Sequence, residues 1–183
     1  MMRYIYLIIL GLFFSVINME ANNSASISLV PCPTNVVSGT GSFQFTPKTV
    51  FAVETEEQAD IVRLLSDQFT CAAGFTPKLK VDSKKGNLVL QTDKTIKSEA
   101  YCLEITPKKI TVKASDAKGF FYALQSIRQL LPPAIESAVK VDGTEWIVPA
   151  MTITDEPRFG YRGLMVDVAR FFVPKENLLR IID

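Results

Sequence analysis

The chain has 183 residues, 48 % of them apolar and 21 % charged, with 20 Lys and Arg against 19 Asp and Glu and no histidine. A net charge of +1 leaves no electrostatic footprint for nucleic acid, and without histidine the chain can hold no Ser-His-Asp triad, HExxH zinc site or imidazole acid-base chemistry. The length suits one ordinary domain plus a remainder and falls short of a complete (β/α)8 barrel, which takes roughly 250 residues.

Behind Met1-Met2-Arg3 comes an apolar run over residues 4–17, interrupted only by Gly11 and Ser15. It is shorter than the ~20 residues of a bilayer span but has the length and positive flank of a signal-peptide core. Residues 1–21 are read as a signal peptide, and the rest as exported to the periplasm, the cell surface or the medium. No stable membrane span is expected once the leader is removed. An uncleaved anchor is the other reading, because Met19-Glu20-Ala21 and Asn23-Ser24-Ala25 only partly match an A-x-A cleavage pattern. The leader accounts for much of the mean hydropathy of +0.19. Cys32, Cys71 and Cys102 form neither a disulfide framework nor a CxxC metal motif. They are expected to be buried small hydrophobes with at most one bridge.

Short β-prone runs cut by Pro and Gly predict strands over 27–30, 42–45 and 49–53. A helix follows, with Thr55 and Gln58 at capping-box spacing, Ile61, Leu64, Leu65, Phe69 and Ala72 as its core stripe, and Gly74 as its stop. The period then changes to two. Residues 87–90 read as a strand, and 101–106 with 110–114 as a hairpin with one apolar and one wet face. A second helix, capped by Ser115 or Asp116, carries Phe120, Leu124, Ile127 and Leu131 until Pro132-Pro133 ends it. Two amphipathic helices and several mostly antiparallel strands predict an α+β fold, a small sheet with both helices packed on one face.

Residues 134–154 read as a looser stretch that contains the only tryptophan, Trp146. The character changes at Asp155. The continuous apolar run Leu164-Met165-Val166 suits a strand buried on both faces, and Pro174 suits the first position of a helix whose apolar face is Leu178, Leu179, Ile181 and Ile182.

Two segments carry a specific resemblance. SEAYCLEITPKKITVKASDAKGFFYALQSIRQLLPP (98–133) resembles the end of the small α+β domain that precedes the catalytic barrel in glycoside hydrolase family 20, the β-N-acetylhexosaminidases. DEPRFGYRGLMVDVARFFVPKENLLRIID (155–183) resembles the entry to that barrel. The resemblance implies an N-terminal domain over 22–154 and, over 155–183, the first strand and start of the first helix of a truncated (β/α)8 barrel. It implies action on glycans ending in N-acetylglucosamine or N-acetylgalactosamine, with no cofactor, no metal and no nucleic acid as partner.

Arg162 matches the arginine that grips hydroxyls of the terminal sugar, a role suited to a planar fork of donors. Without the family match, an arginine paired with a carboxylate such as Asp167 reads equally well. Asp167 and Arg170 match supporting positions near the pocket, while Phe171 departs from the histidine usual there. The chemistry implied is substrate-assisted retaining hydrolysis, in which the 2-acetamido oxygen attacks the anomeric carbon. The Asp-Glu pair that serves this lies on a later barrel strand, so no catalytic residue is expected in this chain and the 183 residues alone are expected to be inactive. Asp155-Glu156 precedes the barrel and is rejected as that pair; Glu56-Glu57 suit the first turn of a helix. The alternative is a stand-alone exported carbohydrate-binding or interaction module without catalysis.

Overall fold

The computed structural model describes residues 28–182, so the signal-peptide reading and Ile27 lie outside the described residues. Among these, seven strands form one sheet: β1 (Asn35–Gln44), β2 (Val50–Ala52), β3 (Lys78–Lys80), β4 (Leu88–Thr92), β5 (Tyr101–Ile105), β6 (Ile110–Ala114) and β7 (Ile147–Asp155). Their spatial order is β1-β7-β5-β6-β4-β2-β3. Helices α1 (Glu56–Gln68) and α2 (Ala117–Leu130) cover one face, as expected of the α+β fold, and a third helix, α3 (Lys175–Ile182), lies near the end of the chain with no buried residue.

The sheet is mixed, which corrects the expectation of mostly antiparallel pairing. β1, β7, β5 and β6 are antiparallel neighbours, whereas β6, β4, β2 and β3 run parallel. The reason is connectivity: a strand followed by a helix laid back across the sheet returns parallel, and α1 joins β2 to β3 in this way. The β5–β6 hairpin has the register expected of its alternation, from Tyr101 opposite Ala114 to Ile105 opposite Ile110.

Thr55 caps α1, its side chain accepting from the Gln58 N–H at 3.2 Å. Gln58 reaches back to the Glu54 N–H at 2.8 Å and donates across to Thr92 at 3.0 Å, so this cap also ties the helix to β4. The helix widens into a π-turn over Phe69–Ala73 and stops at Gly74, whose φ of +71° is a conformation that favours glycine. Of the predicted core stripe, Leu65, Phe69 and Ala72 are buried and Ile61 packs against the core, joined by Ala59 and Val62, while Leu64 is 54 % exposed on the rim of a shallow groove between the two helices. On α2 the predicted Phe120, Leu124, Ile127 and Leu131 are all buried.

Trp146, assigned above to a loose stretch, belongs to the core and meets Phe69 edge-on at 6.0 Å; Phe45 packs on Phe43 and Phe69 at 4.9 and 4.8 Å. Such aromatic pairs add to the stabilisation from area burial alone. Residues 147–155 form a strand flanked on both sides. Residues 28–30, by contrast, are irregular, held by side chains rather than by a strand neighbour. Leu164-Met165-Val166 is not a strand either: Leu164 and Met165 are 74 % and 90 % exposed. Strand backbone needs a neighbour for its N–H and C=O groups, and none of the seven strands pairs with this segment. Pro174 precedes α3, its carbonyl accepting from Leu178 N–H, one position earlier than predicted. The cysteine expectation is corrected on burial, since Cys32 and Cys71 are exposed and Cys102 is half-buried, while all three are free, within the bound of at most one bridge.

β5 and α2 are locked together at two points. At Gly119 an added Cβ would lie 2.4 Å from the Ala100 carbonyl oxygen, which is backbone and cannot swing aside. Gly119→Ala should therefore lower stability by about 1–3 kcal/mol in urea unfolding, whereas Gly160→Ala, which meets nothing within 4 Å, should change it by less than about 0.5 kcal/mol.

The second lock is the Tyr101 hydroxyl, 2.7 Å from Ser126 Oγ. Ser126 donates to the Tyr122 carbonyl at 3.2 Å, which leaves the phenol as donor. Burial pushes the Tyr101 pKa up to about 12. Folding thus favours the protonated phenol; this stabilisation is complete below the unfolded value of about 10 and is lost as pH rises through about 12. Ultraviolet titration should show one tyrosine ionising late, and Tyr101→Phe should remove both that step and the associated fall in stability.

Candidate functional site

A cleft of about 390 Å³ lies along one side of α2, within the usual size range of ligand pockets. Its floor is Tyr101 and Ser126; Tyr122, Gln125 and Gln129 of α2 form one wall, residues 29–32 another, and the chain leaving β7 from Asp155 to Arg162 the third. The walls are fixed by specific bonds. Gln129 holds the Val30 backbone at both groups, accepting from N–H at 2.9 Å and donating to C=O at 3.0 Å. Asp155 accepts from the Thr34 N–H at 2.9 Å and hydroxyl at 3.0 Å, and Arg158 donates to the Cys32 carbonyl at 3.2 Å.

The electrostatic centre of the cleft is Glu99. Its backbone is left-handed at φ +67°, a conformation that non-glycine residues seldom adopt, and its N–H donates to Asp116 at 3.0 Å. The same Asp116 carboxylate caps α2 through Gly119 N–H at 2.9 Å and accepts from Ser98 at 2.6 Å. Burial works against ionisation of Asp116, but the bonds from Ser98, Gly119 and Glu99 outweigh it and its pKa falls below the ordinary value. The Glu99 carboxylate, so placed, takes Lys118 Nζ at 2.6 Å and the Arg162 guanidinium. Lys118 first, and Arg162 after it, hold its pKa below the usual carboxylate value.

Arg162 is therefore anchored on Glu99 ahead of β5 and on α2. Besides Glu99 it bonds the Phe159 carbonyl, donates to the Tyr122 hydroxyl at 3.1 Å, and lies 5.8 Å from the centre of the Tyr122 ring, within cation–π range. Asp167 and Arg170 are not brought to it. They bond each other at 2.6 Å on an exposed stretch, and the Arg170 side chain, with backbone N–H bonds from Arg170 and Ala169, lowers the Asp167 pKa. Arg162 does pair with a carboxylate, but the partner is Glu99 and not the Asp167 named from the sequence.

Asp155 and Glu156 are also engaged, Asp155 with Thr34 and Glu156 with Lys97 at 2.9 Å. Glu99 and Tyr122 escaped the sequence reading because residues 63 and 40 positions from Arg162 become its neighbours only through packing. The strained Glu99 backbone leaves no glycine to mark it. Glu99→Gln removes the charge that holds Arg162 and should speed tryptic cleavage after Arg158 and Arg162, read as a shorter half-life of the intact chain beside unchanged cleavage within α1.

The family model described as glycosyl hydrolase family 20, domain 2, matches residues 26–156. A β-hexosaminidase of Porphyromonas gingivalis is 33 % identical over 161 residues, covering 86 % of this chain and 21 % of the relative. One of Vibrio furnissii is 31 % identical over 165 residues, covering 90 % and 25 %. Among solved structures, an N-acetyl-β-hexosaminidase of Streptomyces plicatus in complex with thio-NAglucal superposes with a TM-score of 0.74 at 31 % identity, covering 83 % of this chain and 30 % of that one. A mutant of that enzyme was solved with the product N-acetylglucosamine. This chain thus spans about a fifth to a third of the length of these relatives. With the family model matching well over half its residues, and with a mixed sheet and helix layer that superpose on a solved hexosaminidase, the chain belongs to glycoside hydrolase family 20.

Proposed function

We propose that this chain is the N-terminal portion of an exported β-N-acetylhexosaminidase, an enzyme that removes terminal non-reducing N-acetyl-β-hexosamine residues from glycans. The observation that carries the reading is the extent of the likeness. Relatives with this activity align with 86–90 % of the chain, so the match runs outside residues 26–156 of the family model. In this reading residues 22–154 are the small domain and 155–183 enter a (β/α)8 barrel. Hydrolysis is retaining and substrate-assisted, the 2-acetamido oxygen forming an oxazolinium that water then opens, and the Asp-Glu pair serving it belongs to a later barrel strand.

Arg162 is the residue proposed to grip the terminal sugar, with Asp167 and Arg170 in support. For Arg162 to do so its guanidinium must leave Glu99 and Tyr122, whose bonds to it are surface contacts of modest strength. The apolar side chains exposed along the same segment, among them Phe159, Leu164, Met165, Phe172 and Ile182, support a second module that covers them, since soluble chains rarely leave such a set uncovered.

One observation favours a second reading, an exported carbohydrate-binding or interaction module without catalysis. The small domain closes its own core, and among the described residues no buried side-chain polar atom lacks a partner. The nucleotide sequence downstream of codon 183 separates the two. An open frame that continues into a barrel with an adjacent Asp-Glu pair is the expected result; a stop codon there supports the second reading. The purified 183-residue chain should release no p-nitrophenol from p-nitrophenyl-N-acetylglucosaminide, and release would overturn the assignment of the catalytic pair to a later strand. That chain should also self-associate through its exposed apolar segment. A monodisperse product resistant to protease through its last residue supports the stand-alone module.

A further inference from the structure

Two cations share one carboxylate at the rim of the cleft, and they are mounted differently. Glu99 Oε1 takes Lys118 Nζ at 2.6 Å, and Oε2 takes the Arg162 guanidinium. Lys118 is the second residue of α2. The residue after it, Gly119, is pressed against the Ala100 carbonyl and donates to Asp116, the carboxylate that also accepts from the Glu99 N–H. The backbones of Glu99 and Lys118 are thus fixed to one joint. Arg162 stands instead on a segment with neither strand nor helix. Before it the chain is tied down by Asp155 on Thr34, Glu156 on Lys97 and Arg158 on the Cys32 carbonyl. From residue 159 onward, the bonds of Arg162 to Glu99 and Tyr122 are the only hydrogen bonds or ion pairs that reach back to the rest of the molecule among the described residues.

A carboxylate with two cationic partners holds each less firmly than it would hold one. Lys118 and Arg162 are like charges a carboxyl group's width apart, so they repel, and each is confined to one oxygen where a guanidinium alone could take both. The two partners also differ in what their departure leaves behind. If Arg162 leaves, Glu99 remains paired with Lys118 and a half-buried carboxylate is not left bare. Glu99 cannot follow the arginine, because its left-handed backbone is bonded to Asp116. One cation on this carboxylate is therefore fixed and the other is free to exchange.

We propose that Lys118 is a positioning residue for Arg162: by occupying one oxygen of Glu99 it weakens the arginine's hold and keeps the guanidinium exchangeable between Glu99 and a ligand. The proposal rests on the reading of Arg162 as the group that grips the terminal sugar. In that reading an arginine locked on Glu99 could not serve the sugar, and one without a resting partner would leave the segment from residue 159 unattached. The fixed lysine sets the balance between these extremes. Its effect is opposite in sign to structural support, since a lysine that braced the cleft would hold Arg162 in place.

Trypsin reads the contact directly. Its specificity pocket takes the arginine side chain itself, so cleavage after Arg162 requires the guanidinium to leave Glu99. Arg170, paired with Asp167 on the exposed stretch, is the internal reference. In native-state digestion of the 183-residue chain, followed by mass spectrometry, Lys118→Met should slow the initial cleavage after Arg162 relative to that after Arg170 by about two- to fivefold, the range of an exposed ion pair. Lys118→Gln carries the same expectation should Met disturb the helix, and Lys118→Arg, which keeps the competing charge, should cleave as the unaltered chain does. In the E99Q background Lys118→Met should have no effect, because the two residues act through one carboxylate. Circular dichroism checks that each variant is folded. Faster or unchanged cleavage in folded Lys118→Met and Lys118→Gln, or an equal slowing in the E99Q background, would overturn the proposal. No sugar takes part in the digestion, so failure here leaves the proposed role of Arg162 standing, and failure of that role leaves the measured exchange intact.

Discussion

One carboxylate organises the functional end of this domain. Asp116 accepts from the Gly119 N–H that opens α2, from the Ser98 hydroxyl and from the Glu99 N–H. A helix begins with N–H groups that have no intrahelical partner, and meeting that need with an acid that also binds the preceding turn fixes the helix against the start of β5. The close approach of Gly119 to the Ala100 carbonyl has the same effect. The left-handed backbone of Glu99 follows from this joint. Its carboxylate then stands where Lys118 and Arg162 can reach it, and the wall of the cleft follows from that.

The other walls have the same construction, a side chain satisfying backbone that lacks a strand neighbour. Residues 28–34 are not a strand, yet the Val30 backbone is matched at both groups by Gln129 and the Thr34 backbone by Asp155. Backbone without a strand neighbour bonds instead to side chains or water, and here side chains of α2 and of the end of β7 supply the bonds. Beneath them the Tyr101–Ser126 bond joins sheet to helix where Tyr101 is almost wholly buried. The cleft thus has a rigid floor and rim, while its third wall, the segment through Arg162, is attached by exposed ion pairs and a cation–π contact. Such contacts are individually weak, so this wall is the one that can move.

The two faces of the sheet divide the work. The helix face carries the core, the cleft and the apolar segment that leads away from β7. The opposite face carries unpaired hydroxyls and lysines.

The amino-acid sequence by itself determined the local elements and the family. Hydrophobic period set the β5–β6 hairpin and the core stripe of α2; Thr55, Asp116 and Gly74 set helix boundaries, since capping and left-handed stops are chemistry between near neighbours. Residue order at 98–133 and 155–183 carried the family likeness. Whatever depended on distant partners was decided by the tertiary structure. The parallel half of the sheet, the burial of Trp146, the exposure of Leu64 and all three cysteines finding no bridge depended on which elements came to lie side by side. The same holds for the site. Arg162 could be picked out as a residue, but its partner could not, because Glu99, 63 positions earlier, meets it only once the chain between them has folded. Leu164-Met165-Val166 shows the limit from the other side: a run with a strand's composition becomes a strand only where a neighbour takes up its backbone groups.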